Sequence, residues 1–340
     1  MNFNYCSFIV NMFFLKSCLF CRLILIVILV LISGCNLNSK HNEKNINSRT
    51  VSYSSYIVTD DTGLTLQFTE KPQRIASFSI STDEILMALV EPKRIVAISR
   101  LADDPGVSSI VKEAKQVPNR VQGNSMEVLL SFKPDVVIIP DFHPPEMIQS
   151  VRELGMKVYV YKTPSTIAGV KKSIRQLAAL TGEKKKGEEV IAKMEEKTGR
   201  VQKKLEGIPQ SKRKRVMQMT SESAFYAPDN SFGDVCRHAG VIDASLELNY
   251  PSAMEITQEK IVELNPDIIF VPAWDYDGKH EPVGERQKIL NNPSYKGIKA
   301  IRDGQVYSIS GSLVLTISQY IADAVEEVAR ISYPEVFGRN

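Results

Sequence analysis

Five cysteines and four histidines in 340 residues leave little material for covalent or metal-held architecture. Cys6, Cys18, Cys21 and Cys35 all precede residue 36, so the remainder holds Cys236 alone and closes no disulfide within itself. Its stability must come from an apolar core, which a chain of this length supplies. The histidines (His41, His143, His238 and His280) never stand four apart, so no zinc-ligand spacing exists. A histidine standing alone, as His143 does after a strand-like run, is read first as hydrogen-bonded or exposed, and second as a metal or haem ligand. Also missing are G-x-S-x-G, a Walker loop and G-x-G-x-x-G, which removes the commonest hydrolase, phosphate-loop and dinucleotide signatures. The acid pairs Asp60-Asp61 and Asp103-Asp104 fall in turns, where aspartate is favoured for backbone reasons. No nucleophile is set beside a base, and the expectation is a protein that is not an enzyme. An excess of one charge is lacking too, with 42 basic against 39 acidic residues. No basic block is interleaved with aromatics, so nucleic acid is not an expected partner. The run Lys212–Arg215 reads as a solvated turn.

Long apolar runs are scarce as well. Leu23–Ile32 is ten residues long, behind Lys16 and Arg22, whereas a membrane span needs about 20. The run ends in Ile32-Ser33-Gly34-Cys35, which resembles the lipobox of bacterial lipoproteins. Residues 1–34 are therefore expected to be a signal peptide, starting at Met1 or Met12, with Cys35 as the lipidated residue, the alternative being an uncleaved N-terminal anchor helix. That implies the extracytoplasmic face of a cell membrane. Residues 35–55 are polar and read as a flexible tether.

What the chain does have is an internal echo. Ser125–Phe142 (SMEVLLSFKPDVVIIPDF) and Thr257–Trp274 (TQEKIVELNPDIIFVPAW) lie 132 positions apart. Their glutamates (Glu127, Glu259), Pro-Asp pairs (Pro134-Asp135, Pro266-Asp267) and strand-ending prolines (Pro140, Pro272) coincide. Each segment predicts a short helix, a turn and a strand apolar on both faces, as in parallel sheets covered by helices. The spacing far exceeds a solenoid repeat of about 20–50 residues, so the echo predicts two related lobes. Strand and helix patterns alternate on both sides of it. We expect an α/β fold with an N-terminal lobe over 56–166, a helical linker over 167–206 and a C-terminal lobe over 207–340. The linker contains a Lys- and Glu-rich helix from Glu183 to Leu205, about 33 Å long at 1.5 Å per residue. It reads as a solvent-facing strut that limits opening of the lobes.

In open α/β sheets ligands bind beyond the carboxyl ends of strands. That rule selects Arg100, Phe142, His143 and Tyr161 in the first lobe and Phe225, Tyr226, Trp274 and Tyr276 in the second. Each aromatic has an alternative as core packing, and Arg100 an alternative as a partner of Asp103 or Asp104. As a set they suit a flat, partly apolar ligand with polar edges, such as a chelate or macrocycle.

With these residues in place, the chain resembles the helix-linked (class III) solute-binding lipoproteins of ABC importers for ferric siderophores, haem and cobalamin. The motifs that carry the resemblance are Pro72–Ser77, Ser81–Leu89 (STDEILMAL), Glu127–Ile138, Leu154-Gly155, Asn265–Phe270 (NPDIIF) and Ala300–Tyr307 (AIRDGQVY). It implies two α/β lobes joined by a long helix, with an iron complex, or alternatively a corrinoid, held between them. It implies a permease and its ATPase as partners of a monomeric binding protein, and no covalent cofactor. A bare zinc or manganese ion is a weaker alternative, since the histidine spacing provides no ligand set. The resemblance also implies an acid on each lobe that docks on permease arginines. Glu84 matches the first. Asp234 is the expected second, each lying six residues before the end of its helix (Val90, Gly240).

Overall fold

Two short strands, β1 (Tyr56–Thr59) and β2 (Thr65–Phe68), pair antiparallel where the chain enters the fold. Asp60 makes their turn. Its buried carboxylate accepts from the Thr62 amide (2.9 Å), the Thr62 hydroxyl (2.6 Å) and the Leu64 amide (2.9 Å), the local bonding that favours aspartate in turns. In this computed structural model residues 55–121, 126–273 and 282–338 are described. The signal segment, Cys35 and most of the tether lie outside them. The chain divides into units of residues 1–52 and 53–340, and everything below concerns the second.

The first sheet is parallel, with strand order β5-β4-β3-β6-β7: β3 (Ile75–Ser77), β4 (Ile95–Ser99), β5 (Asn119–Val121), β6 (Val136–Pro140) and β7 (Val158–Tyr161). The longer helices that alternate with these strands are α1 (Ile80–Leu89), α2 (Met126–Ser131) and α3 (Pro145–Glu153), with a single turn at Val111–Ala114. Every residue of β4, β6 and β7 is buried, as a parallel strand between two helical layers must be. Helix α1 starts at Ile80. The Ser79 hydroxyl accepts from the Thr82 amide and caps it there. Strand β5, half-buried and only three residues long, carries no apolar run and was not expected.

The second sheet is also parallel, with order β10-β8-β12-β13: β8 (Arg215–Gln218), β10 (Ile242–Asp243), β12 (Ile268–Ala273) and β13 (Val306–Ser310). A small antiparallel pair, β9 (Ala224–Tyr226) with β11 (Met254–Ile256), is inserted beside it. Its longer helices are α6 (Ser231–His238), α7 (Gln258–Leu264), α8 (Pro282–Asn291) and α9 (Ile321–Ser332). The echoed Pro-Asp pairs do the same work in both sheets. Asp135 accepts from the Gln73 and Arg74 amides (2.6 and 3.0 Å), and Asp267 accepts from the Arg215 amide (2.8 Å). Each ties the entry of its sheet's first strand to the strand that follows the Pro-Asp pair.

Between the sheets run α4 (Ile167–Thr181) and α5 (Lys184–Leu205). Gly182 joins them in a left-handed C-cap at φ 73°. Helix α5 is more than a solvent-facing strut. Gly187, Ile191, Met194, Thr198, Val201 and Leu205 form one buried stripe at helical spacing. Its four large apolar side chains contribute about 1.5–3 kcal/mol each by leaving water. They pack α5 against α4 and α9. Gly187 permits the close approach, because a Cβ there would lie 2.6 Å from the Ala178 Cβ. One apolar cluster consequently runs from β3 and α1 through α4 and α5 to α6, β12 and α9. Separate clusters fill the opposite face of each sheet.

Candidate functional site

Both sheets reverse direction at their first strand. In the first sheet the chain winds from β3 to β4 and β5 on one side and then crosses to β6 and β7 on the other. In the second it winds from β8 to β10 and then crosses to β12 and β13. The gaps above β3/β6 and β8/β12 are thus topological switch points, where the loops diverge and a ligand fits.

At the first switch point stands an aromatic cluster. Phe142 and His143 follow β6 with ring centroids 5.0 Å apart, and Phe78 follows β3 and meets the His143 ring edge-on at 6.0 Å. The Phe78 amide donates to the Ile138 carbonyl (3.1 Å) and extends the sheet by one rung. Phe142 is 66% exposed despite its size. Burial against its neighbours holds the half-buried His143 imidazole below its ordinary pKa, favouring the neutral ring. Phe78 was not singled out from sequence. Its place in the alternation Ser77-Phe78-Ser79 gives no sign that the strand has ended. Arg100 opens the turn after β4 and is exposed. Its expected partner Asp103 is held instead by Arg120 through two bonds of 2.7 Å.

At the second switch point lies a cavity of about 350 Å³. Gln218 and Thr220 reach it from the end of β8, Asp243 from the end of β10, and Pro272 from β12. Phe225, 66% exposed, and Leu315, 42% exposed, form its apolar lip. Asn230 borders it while capping α6, its side-chain oxygen accepting from the Gly233 amide at 2.6 Å. Burial raises the Asp243 carboxyl above the usual aspartate range, against the opposing pull of Ser245, which donates to it through both amide and hydroxyl.

Two expected lining residues belong elsewhere. Tyr161 is 1% exposed within the central apolar cluster, where burial pushes its hydroxyl up to about 12. Tyr226, 3% exposed, packs edge-on against Tyr250. Both point from strands into a helix-covered core, so position at a strand end was not enough to bring them to the rim. Trp274 and Tyr276 lie outside the described residues. The second-lobe insertion of β9 and β11, which carries Phe225 to the lip, has no apolar periodicity long enough to announce it.

The two acids expected on the surface are also buried. Glu84 is 2% and Asp234 3% exposed. Glu84 accepts from the Ser109 amide (2.8 Å) and the Ser318 hydroxyl (2.5 Å). Asp234 accepts from the Ile167 amide (2.6 Å) and pairs with Arg237 (2.6 Å). Among the described residues no three His, Cys, Asp or Glu side chains converge as a metal site.

The comparisons with known proteins agree with this architecture. The periplasmic binding protein family matches residues 75–313, spanning both sheets. A Bacillus subtilis protein described as an uncharacterized ABC transporter substrate-binding lipoprotein, YvrC, is 22% identical over 320 residues, covering 92% of this chain and 96% of its own. The iron-uptake system-binding protein of the same organism is 24% identical over 229 residues, covering 67% of this chain and 70% of its own. Among solved structures, Helicobacter pylori CeuE in a nickel–histidine complex superimposes with a TM-score of 0.67 at 21% identity, over 84% of this chain and 90% of that one. With a family match across most of its length and two parallel sheets joined through a long packed helix, the chain belongs to the periplasmic binding protein family.

Proposed function

We propose that this chain is the lipid-anchored substrate-binding component of an ABC importer that captures an iron complex, a ferric siderophore or haem, and delivers it to a permease. The observation that carries this reading is the pair of exposed phenylalanines, Phe142 and Phe225, each at the switch point of its own sheet. Exposed rings at these positions offer stacking and burial surface to a ligand with a flat apolar face. Arg100 at one rim and the polar wall of Gln218, Thr220 and Asn230 at the other supply edges for the polar periphery of a chelate. A metal already wrapped by its chelator needs no converging protein ligands, and the described residues offer none. The relative named as an iron-uptake system-binding protein supports the same class. On this reading the protein holds and releases its ligand without transforming it.

The test is an equilibrium titration of residues 36–340, followed by absorbance and intrinsic fluorescence, with a ferric hydroxamate, ferric citrate, haem and cobalamin. Saturable binding of one iron complex is expected. Phe142→Ala and Phe225→Ala should each weaken it about tenfold, the equivalent of roughly 1.4 kcal/mol for a stacked aromatic contact. Preference for cobalamin would move the assignment to a corrinoid carrier, and no binding of any of the four would overturn it. Cys35→Ser should release the protein from membranes. Unchanged membrane retention would remove the lipid anchor from the proposal.

A further inference from the structure

The buried acids Glu84 and Asp234 are related by more than their sequence positions. Glu84 lies on α1, the first helix of the first sheet, and its carboxylate reaches Ser318, three residues ahead of α9, a helix that follows the last strand of the second sheet. Asp234 lies on α6, the first long helix of the second sheet, and its carboxylate reaches the amide of Ile167, the first residue of α4, which follows the last strand of the first sheet. The first long helix of each sheet therefore sends a carboxylate to the start of a helix that follows the other sheet's last strand. The first amides of a helix have no partner within it and carry positive partial charge. Asp234 satisfies such an amide directly. Glu84 acts one step ahead of its helix: the Ser318 hydroxyl that donates to it also accepts from the amide of Tyr320, the N-cap of α9 (3.3 Å), while the first amides of α9 bond to the Ser318, Gln319 and Tyr320 carbonyls. The Gln319 side-chain amide adds a second bond across the same boundary, donating to the Glu84 carbonyl at 2.8 Å.

We propose that Glu84 and Asp234 form a two-point internal clasp, a crossed pair of carboxylate-to-helix-start bonds that fixes the angle between the two halves. A carboxylate lost from either point leaves a buried donor without a partner, which is costly where water cannot replace it. With both points closed and α5 packed along the boundary, the two switch points are held in place before any ligand arrives. Neither acid then acts as a surface docking group.

The experiment is hydrogen exchange followed by mass spectrometry on residues 36–340 and on the variants Glu84→Ala, Asp234→Ala and Ser318→Ala, without ligand. Glu84→Ala and Ser318→Ala should each speed exchange about tenfold in the peptide covering residues 318–324. Asp234→Ala should do so in the peptide covering 167–171. Helix α3, remote from both points, should exchange at the native rate in all three. The Glu84→Ala/Ser318→Ala pair should be non-additive, with a coupling of at least threefold in the unfolding constant. Should an alanine variant not fold, Glu84→Met and Asp234→Val remove the acceptor oxygens while keeping most of the side-chain volume and provide the same readout. Native exchange at both helix starts, or additive Glu84 and Ser318 effects, would overturn the clasp and return the acids to a role outside the fold.

Discussion

Lys133 and Asn265, 132 positions apart, hold the same left-handed backbone, with φ of 48° and 44°. Both end the short helix of the echoed segment and lead into its Pro-Asp pair. Asparagine tolerates this conformation, whereas lysine carries the cost of a Cβ crowded against the following carbonyl, about 1–2 kcal/mol. The Lys133 side chain is exposed, and the bond Lys133 makes to Arg74 uses its carbonyl (2.8 Å). Lys133→Gly should therefore raise the urea midpoint, by about 0.5–1 kcal/mol after the added freedom of the unfolded chain is subtracted. Asn265→Ala should lower it by about 1 kcal/mol. A midpoint unmoved by Lys133→Gly would mean that the backbone there is not left-handed in solution.

These two turns show why much of the fold was readable. The echo repeats a structural device rather than a ligand site, and its residues are set by backbone need: a left-handed cap, a carboxylate to hold the neighbouring strand, four apolar positions for a buried strand. The same physics made the alternation around β4, β6, β8 and β12 legible. The site was only half legible, because rim and core residues look alike in sequence. Phe142 and Tyr161 both end strands of one sheet, yet one is 66% and the other 1% exposed. Only packing against α4 and its neighbours separates them. The burial of Glu84 and Asp234 was hidden for another reason. Their partners, Ser318 and Ile167, lie 234 and 67 positions away, and nothing local marks an acid that will be covered by a distant helix start.

Asp267 should make the second half sensitive to acid. Burial alone would raise its carboxyl, but the Arg215 amide and the Lys299 ammonium, which donates to it at 2.5 Å, outweigh that and hold it below the usual aspartate value. A folded pKa below the unfolded one gives stability that is complete above the unfolded value, about 4, and is lost as pH falls through the folded value. Asp267→Asn should cost about 1–2 kcal/mol at neutral pH, the range of a partly solvated charge-assisted bond. It should also flatten the fall in stability below about pH 4. Parallel acid limbs in wild type and variant would show that the carboxylate contributes nothing through its charge.

Gly187 sets the spacing of the two interlobe helices. Carbon atoms rest about 3.5–4.0 Å apart at contact, and a Cβ at this position would fall 2.6 Å from the Ala178 Cβ. Gly187→Ala improves helix propensity by about 1 kcal/mol, yet it must push α5 off α4 and is expected to destabilise by a net 1–3 kcal/mol. The double variant Gly187→Ala/Ala178→Gly moves the methyl group from one helix to the other and should recover most of the loss. Thermal melts of the four proteins give the cycle. A stabilising single variant would mean the helices are farther apart than their stripe of buried residues requires.

Glu84 should behave in the opposite sense to Asp267. Burial drives its carboxyl up from 4.5 to about 7, only partly offset by donation from Ser318 and Ser109 and by the nearby Thr316 hydroxyl. Two further groups stand beside it: Asp83, fully buried, is itself pushed well above the aspartate range by burial, and Tyr320 faces it from the start of α9. A raised folded pKa means that the folded state binds the proton more tightly than the unfolded chain does. The stabilisation is therefore complete below about pH 4.5 and is lost as pH rises through about 7. A shift of this size corresponds to about 3 kcal/mol across that window. Glu84→Gln cannot ionise, so the difference between wild-type and variant stability should change by that order between the two pH limits, with Asp83 contributing to both curves alike. Urea titrations at half-unit pH steps measure it directly. A difference that stays constant with pH would place the Glu84 carboxylate in water, and with it would go the short bond to Ser318 on which the first point of the clasp depends.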